Sequence, residues 1–143
     1  MAKKYLATGL STITLLVLSG MVYYAVHALA KHRSKYFFGF VNKTGHDLTD
    51  VSAYFDDKEI ASPGILVRGG YKTEGWVLAP IPPEIQMKWD ETGTHHSAKA
   101  KVEGAVPKAF TDGTIFLIIK PGNLVDVKAV RFDDKDGMYR ATE

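Results

Sequence analysis

The chain has 143 residues, 18 of them Lys or Arg and 16 Asp or Glu, and no cysteine. No disulfide framework, thiolate nucleophile or lipid-modified cysteine is therefore open to it. Five of the basic residues and none of the acidic ones lie in the first 35, so the remainder carries 13 basic against 16 acidic residues, a mildly acidic balance that gives no electrostatic footprint for nucleic acid.

The first element is an uncharged run from Tyr5 to Ala30, long enough to cross a hydrocarbon core of roughly 30 Å. Leu6, Leu10, Leu15, Leu16, Val17, Leu18, Met21 and Val22 supply its apolar face. Tyr23 and Tyr24 sit where interfacial aromatics hold spanning helices, and Lys3 and Lys4 precede the run while Lys31, Arg33 and Lys35 follow it. Its length favours a retained anchor. The alternative is a secretory signal cleaved at Ala28-Leu29-Ala30, which would leave a soluble periplasmic domain. Either way residues 36–143 are expected outside the cytoplasm, on the periplasmic side of a bacterial inner membrane. The expected organisation is 1–35 as anchor or signal, 36–132 as the exported domain, and 133–143 as a flexible tail.

Beyond Lys35 the pattern is that of an all-β domain, with short extended segments separated by turn chemistry at spacings too tight for helices. Tyr36–Val41 is aromatic and β-branched, and Asn42-Lys43-Thr44-Gly45 stops it with residues suited to turns. Val51, Ala53 and Phe55 alternate with Ser52, Tyr54 and Asp56, which implies one buried and one wet face. Shorter segments follow near 65–67 and 72–78. Pro80-Ile81-Pro82-Pro83 belongs outside a central strand because proline cannot donate a ladder hydrogen bond.

The alternation returns in the segment 85–90, which puts Ile85, Met87 and Trp89 on the core face, and Thr94–Val102 is the next extended segment. A single helical turn is expected around Val106–Phe110. Thr114–Lys120 is apolar on both alternations, as in a central strand covered on both sides, and Pro121-Gly122-Asn123 turns it into 124–130 as a hairpin. The expected fold is a two-sheet antiparallel sandwich, immunoglobulin-like, with a small barrel as the alternative.

No nucleophile elbow, phosphate-binding loop or metalloprotease helix is present in the sequence. His95-His96 are adjacent, so in a strand they point to opposite faces and do not share an ion, and Asp133-Asp134-Lys135-Asp136-Gly137 lacks the alternating carboxylates of a calcium loop. Neither metal, cofactor nor catalysis is expected. The remaining asymmetry is the middle loop, where Arg68, Tyr71, Lys72 and Trp76 gather around Gly69-Gly70. These residue types suit a protein-binding surface, since Tyr, Trp and Arg combine large contact area with directed hydrogen bonds. Tyr54 is a second candidate.

The order of Asn42-Lys43-Thr44-Gly45-His46-Asp47-Leu48, the Val51–Phe55 strand, Gly69-Gly70, the proline segment, the Trp89 strand and the closing apolar hairpin resembles small immunity proteins found beside phospholipase effectors of bacterial type VI secretion. The resemblance implies a toxin inhibitor that binds a phospholipase in the periplasm and occludes it without turnover. Where relatives carry a lipidated cysteine, this chain has none, and an uncleaved anchor would serve in its place. A structural subunit of an envelope complex, pairing through a free sheet edge near Tyr36–Val41, is the second class of reading.

Overall fold

The computed structural model describes residues 35–78 and 80–143. The expected anchor or signal, with its membrane-facing residues, lies outside the described residues. Among the described residues no helix is long and apolar enough to cross a membrane.

Eight strands form two four-stranded sheets. The first has the order β4-β1-β7-β8, from β1 (Lys35–Asn42), β4 (Tyr71–Leu78), β7 (Asp112–Lys120) and β8 (Leu124–Val130). The second has the order β3-β2-β5-β6, from β2 (Leu48–Phe55), β3 (Lys58–Leu66), β5 (Glu84–Glu91) and β6 (Thr94–Lys101). Their inner faces meet in one core that includes Tyr36, Phe38, Phe40, Val51, Ala53, Ile85, Met87, Trp89, Ile115, Leu117 and Ile119. The two-sheet sandwich is thus present, with the core face of β5 as the alternation predicts.

The expectation of wholly antiparallel sheets is corrected at one pairing. β1 and β7 run parallel, in register from Lys35 opposite Asp112 to Asn42 opposite Ile119. Parallel neighbours need a long crossover, and here the intervening chain builds the whole second sheet. β1 is consequently an inner strand, bonded to β4 on one side and β7 on the other. The edge expected near Tyr36–Val41 is not free.

Three local expectations also change. β3 begins at Lys58, well before the segment expected near Ile65, because Asp56 and Asp57 both take positive φ (48° and 59°) and close a tight hairpin with β2. Around Val106–Phe110 the chain makes turns, one closed by the Phe110 N–H donating to the Pro107 carbonyl at 2.9 Å. Residues 133–143, expected as a flexible tail, form the helix α1 (Lys135–Thr142). Asp134 caps it, its carboxylate accepting the Gly137 N–H at 2.7 Å.

That helix explains the doubly apolar strands. Phe116, Val41 and Val130 point away from the inter-sheet core and are covered by Ala141 and Met138. Phe37, on the same outer side of β1, meets the Phe132 ring edge-on at 5.7 Å. A strand that is apolar on both alternations needs two partners, and the second sheet supplies one while α1 supplies the other.

Two buried side chains give measurable expectations. Burial pushes the Tyr36 phenol up from 10.0 to about 12. Because the folded-state value lies above the unfolded one, the stabilisation is complete below pH 10 and is lost as pH rises from about 10 to about 12. Thermal stability should fall across that window in the parent chain, and Tyr36→Phe should flatten the fall; identical pH profiles for the two would refute the assignment.

Trp89 is 2% exposed, stacks on His96 with centroids 5.7 Å apart, and leaves its indole N–H without a hydrogen-bond partner among the described residues. An unpaired buried donor costs roughly 1–3 kcal/mol. Trp89→Phe removes that donor together with part of the ring, and the two changes oppose one another. We expect a net loss within about 1 kcal/mol by urea unfolding, against about 3–5 kcal/mol for Trp89→Ala. Equal losses in the two variants would show that the indole nitrogen is not a liability.

Candidate functional site

The end of the sandwich opposite Lys35 is organised by one buried side chain. Asn42, fully buried, closes β1. Its Nδ2 donates to the carbonyls of His46 (2.8 Å), Leu66 (3.0 Å) and Val67 (3.2 Å), and its Oδ1 accepts from the Thr44 N–H (2.9 Å) and hydroxyl (2.8 Å). One amide thereby joins the β1–β2 loop to the β3–β4 loop. Two more bonds hold the second loop: the Arg68 N–H donates to Asp47 Oδ1 at 2.7 Å, and the Asn42 N–H donates to the Gly70 carbonyl at 3.0 Å.

The loop itself turns tightly, with the Gly70 N–H donating to the Val67 carbonyl at 2.9 Å and Gly69 at φ +68°. Gly70 keeps the turn free of crowding. A Cβ there would lie 2.6 Å from Val67 Cγ2 and 3.0 Å from the Val67 carbonyl oxygen. On this braced turn Ile65, Val67 and Tyr71 are 57%, 58% and 56% exposed. Leu124, 59% exposed, lies at the same end, at the start of β8 opposite Lys120. Four of the six large exposed hydrophobics among the described residues therefore collect at one end of the domain.

Beside the loop is a cleft of about 610 Å³ between Gly45, His46, Asp47, Arg68, Asp90 and the Thr92-Gly93 turn. Its charged groups are largely paired within the molecule. His46 Nδ1 lies 3.0 Å from Glu91, His96 Nε2 lies 4.0 Å from the same carboxylate, and His95 pairs with Asp90. His95 and His96 take different partners, since His96 stacks on Trp89 while His95 meets Asp90. Among the described residues no group of three or more metal-ligating side chains converges. The nearby serines do not bond to a histidine either: Ser52 donates to the Asp50 carbonyl at 3.5 Å, and Ser97 accepts from Gln86 Nε2 at 3.1 Å.

The residues singled out from the sequence separate into two places. Arg68, Tyr71 and Lys72 are brought together at the braced loop, with Lys72 Nζ donating to the Pro63 carbonyl at 3.0 Å. The Trp76 side chain lies outside the described residues. Tyr54 is elsewhere, six residues along β2 from Leu48 and so roughly 20 Å away at the rise of a strand. Its hydroxyl donates to Glu59 at 3.2 Å and Lys88 Nζ lies 4.4 Å from its ring centre, so it is held within the outer face of the second sheet. Ile65, Val67 and the Asn42 brace were missed in the sequence, although the run Ile65-Leu66-Val67 carried the apolar signal.

No protein-family model matches the chain, and no curated protein matches it. Among solved structures it is similar to the NMR structure of a protein from Eubacterium rectale at 13% identity, with 71% of this chain and 94% of that chain covered and a TM-score of 0.46. A likeness at that level carries no functional argument.

Proposed function

We propose that this chain is a membrane-anchored, periplasmic, immunoglobulin-like binding domain that acts by stoichiometric occlusion of a protein partner through its Ile65–Lys72 loop, and that the partner is a secreted phospholipase toxin. The observation that carries the binding role is the exposure of Ile65, Val67 and Tyr71 on a turn fixed by Asn42. Large apolar side chains held in water are costly to a monomer, and their concentration on a rigid loop is the arrangement of an interface anchor. Rigidity matters because a loop already in its bound shape loses little entropy on docking.

The toxin reading rests in addition on the uncharged leader and the resemblance of the Asn42–Leu48, Gly69-Gly70 and Trp89 segments to phospholipase immunity proteins. Occlusion needs no turnover by the inhibitor. A retained anchor would raise its local concentration at the bilayer that a lipase attacks. Lys35 opens β1 at the opposite end of the sandwich from the loop.

The test is direct. The full chain, purified in detergent, is mixed with any phospholipase toxin found in its gene neighbourhood, and lipid hydrolysis is followed as the ratio is raised. Inhibition that saturates near one inhibitor per enzyme supports the reading, and undiminished hydrolysis at large excess ends it. The alternative of a structural subunit pairing through the edge of Tyr36–Val41 loses its structural support, since β1 is hydrogen-bonded on both sides.

A further inference from the structure

We infer that the surface received by the Ile65–Lys72 loop is an acidic protein face, an assignment that rests on the binding role proposed above and specifies its partner. Residues after Lys35 carry more acidic than basic groups, so cations left without a carboxylate at this end are not the product of an excess of basic residues.

At the braced end four anions have partners within the molecule, as does Lys120, while three other cations pair with no carboxylate among the described residues. Asp47 accepts the Arg68 N–H, Glu91 faces His46 and His96, Asp90 pairs with His95, and Asp126 pairs with Lys120. Arg68, Lys72 and Lys43 have no carboxylate partner among the described residues. Lys72 and Lys43 donate only to the main chain, at the carbonyls of Pro63 (3.0 Å) and Thr142 (3.3 Å). An ammonium has three donors and a guanidinium five, so these groups keep most of their hydrogen-bonding capacity. Glu74, on the strand of Lys72, is the nearest carboxylate in sequence and forms no ion pair with it among the described residues.

Apolar side chains flanked by unpaired cations fit either an acidic protein face or an anionic bilayer. The cleft decides between them. Asp47 and Asp90 line it beside Arg68, and a planar anionic bilayer pressed on this end would bring like charge over both carboxylates. A protein face can set carboxylates opposite Arg68 and Lys72 and leave the cleft unopposed, which is how complementary interfaces gain association rate and specificity.

The probe is poly-L-glutamate, titrated into the isotope-labelled full chain in zwitterionic detergent while the amide signals of Arg68, Gly69, Gly70 and Tyr71 are followed. We expect these signals to shift, the shift to be reversed by salt of several hundred millimolar, and the double variant Arg68→Glu/Lys72→Glu to bind about tenfold more weakly or worse. The leader's own lysines also attract polyglutamate, and the double variant, which keeps them, separates that binding from binding at the loop. Unmoved loop amides overturn the inference. So do loop amides that respond to phosphatidylglycerol vesicles and not to polyglutamate, which would assign this end to a lipid surface. The phospholipase serves as the second arm. If it fails to bind while polyglutamate maps to the loop, the toxin reading falls and the charge assignment stands; if it binds the parent and the double variant equally, the charge assignment falls and the toxin reading stands.

Discussion

Asn42→Ala is expected to destabilise the domain by about 3 kcal/mol, read as a lowered urea midpoint at unchanged slope. The figure follows from which partners are stranded. The Leu66 carbonyl and the Thr44 N–H are buried with Asn42, so each loses a partner where water does not replace it, at roughly 1–3 kcal/mol apiece. The carbonyls of His46 and Val67 are partly accessible and recover much of their loss by hydration. Asn42→Asp separates the donor and acceptor roles. It keeps the oxygen that Thr44 needs but turns a second oxygen toward three carbonyls, which holds the new carboxyl neutral in the folded state. The variant's folded pKa is then raised, so its stability should improve as pH falls and deteriorate as pH rises through that value. An Asn42→Ala loss below about 1 kcal/mol, or an Asn42→Asp variant indifferent to pH, would mean that the amide does not join the two loops. Faster amide exchange at Arg68–Tyr71 in either variant would tie the loss to the candidate binding loop.

Asn42 also marks the limit of what could be read from the sequence. Following an aromatic strand and preceding Lys43-Thr44-Gly45, it reads as an ordinary turn former. Its partners Leu66 and Val67 are 24 and 25 residues away, and no local pattern reports them. The inner faces were legible because period-two alternation records burial directly, as in Ile85, Met87 and Trp89. Pairing direction leaves no such record, so the parallel contact between β1 and β7 could not be anticipated. The covering helix was half legible. Thr114–Lys120 signalled a second cover, whereas the helix that provides it offers only Met138 and Ala141 to the domain amid Lys135, Asp136 and Arg140, and reads as a solvated charge run. An Asp three residues before Gly137, followed by apolar residues three apart, was the available signal for a capped helix.

Gly113→Ala is expected to cost about 4 kcal/mol or more and to deplete the folded state severely, whereas Gly39→Ala should cost roughly 1–3 kcal/mol. Both glycines lie where a Cβ has no room, so the comparison isolates what the neighbour is made of. At Gly39 the added carbon would sit 2.4 Å from Phe116 Cδ1 and 2.9 Å from Thr114 Cγ2. Those are side chains, and the Phe116 ring can move toward Met138 and Ala141 at the cost of some packing under α1. At Gly113 the carbon would sit 2.2 Å from the Val130 carbonyl oxygen and 2.9 Å from Arg131 Cα. Main chain cannot step aside there without breaking the pairing of Thr114 with Val130 that closes β7 against β8. Gly113 also has φ +148°, a conformation that an L side chain strains to adopt, so relief of the clash does not remove the whole penalty. Urea unfolding of both variants should rank them in that order. The reverse ranking would mean that the cover of Phe116 by α1 is the more rigid of the two sites, and that the start of β7 yields before the helix does.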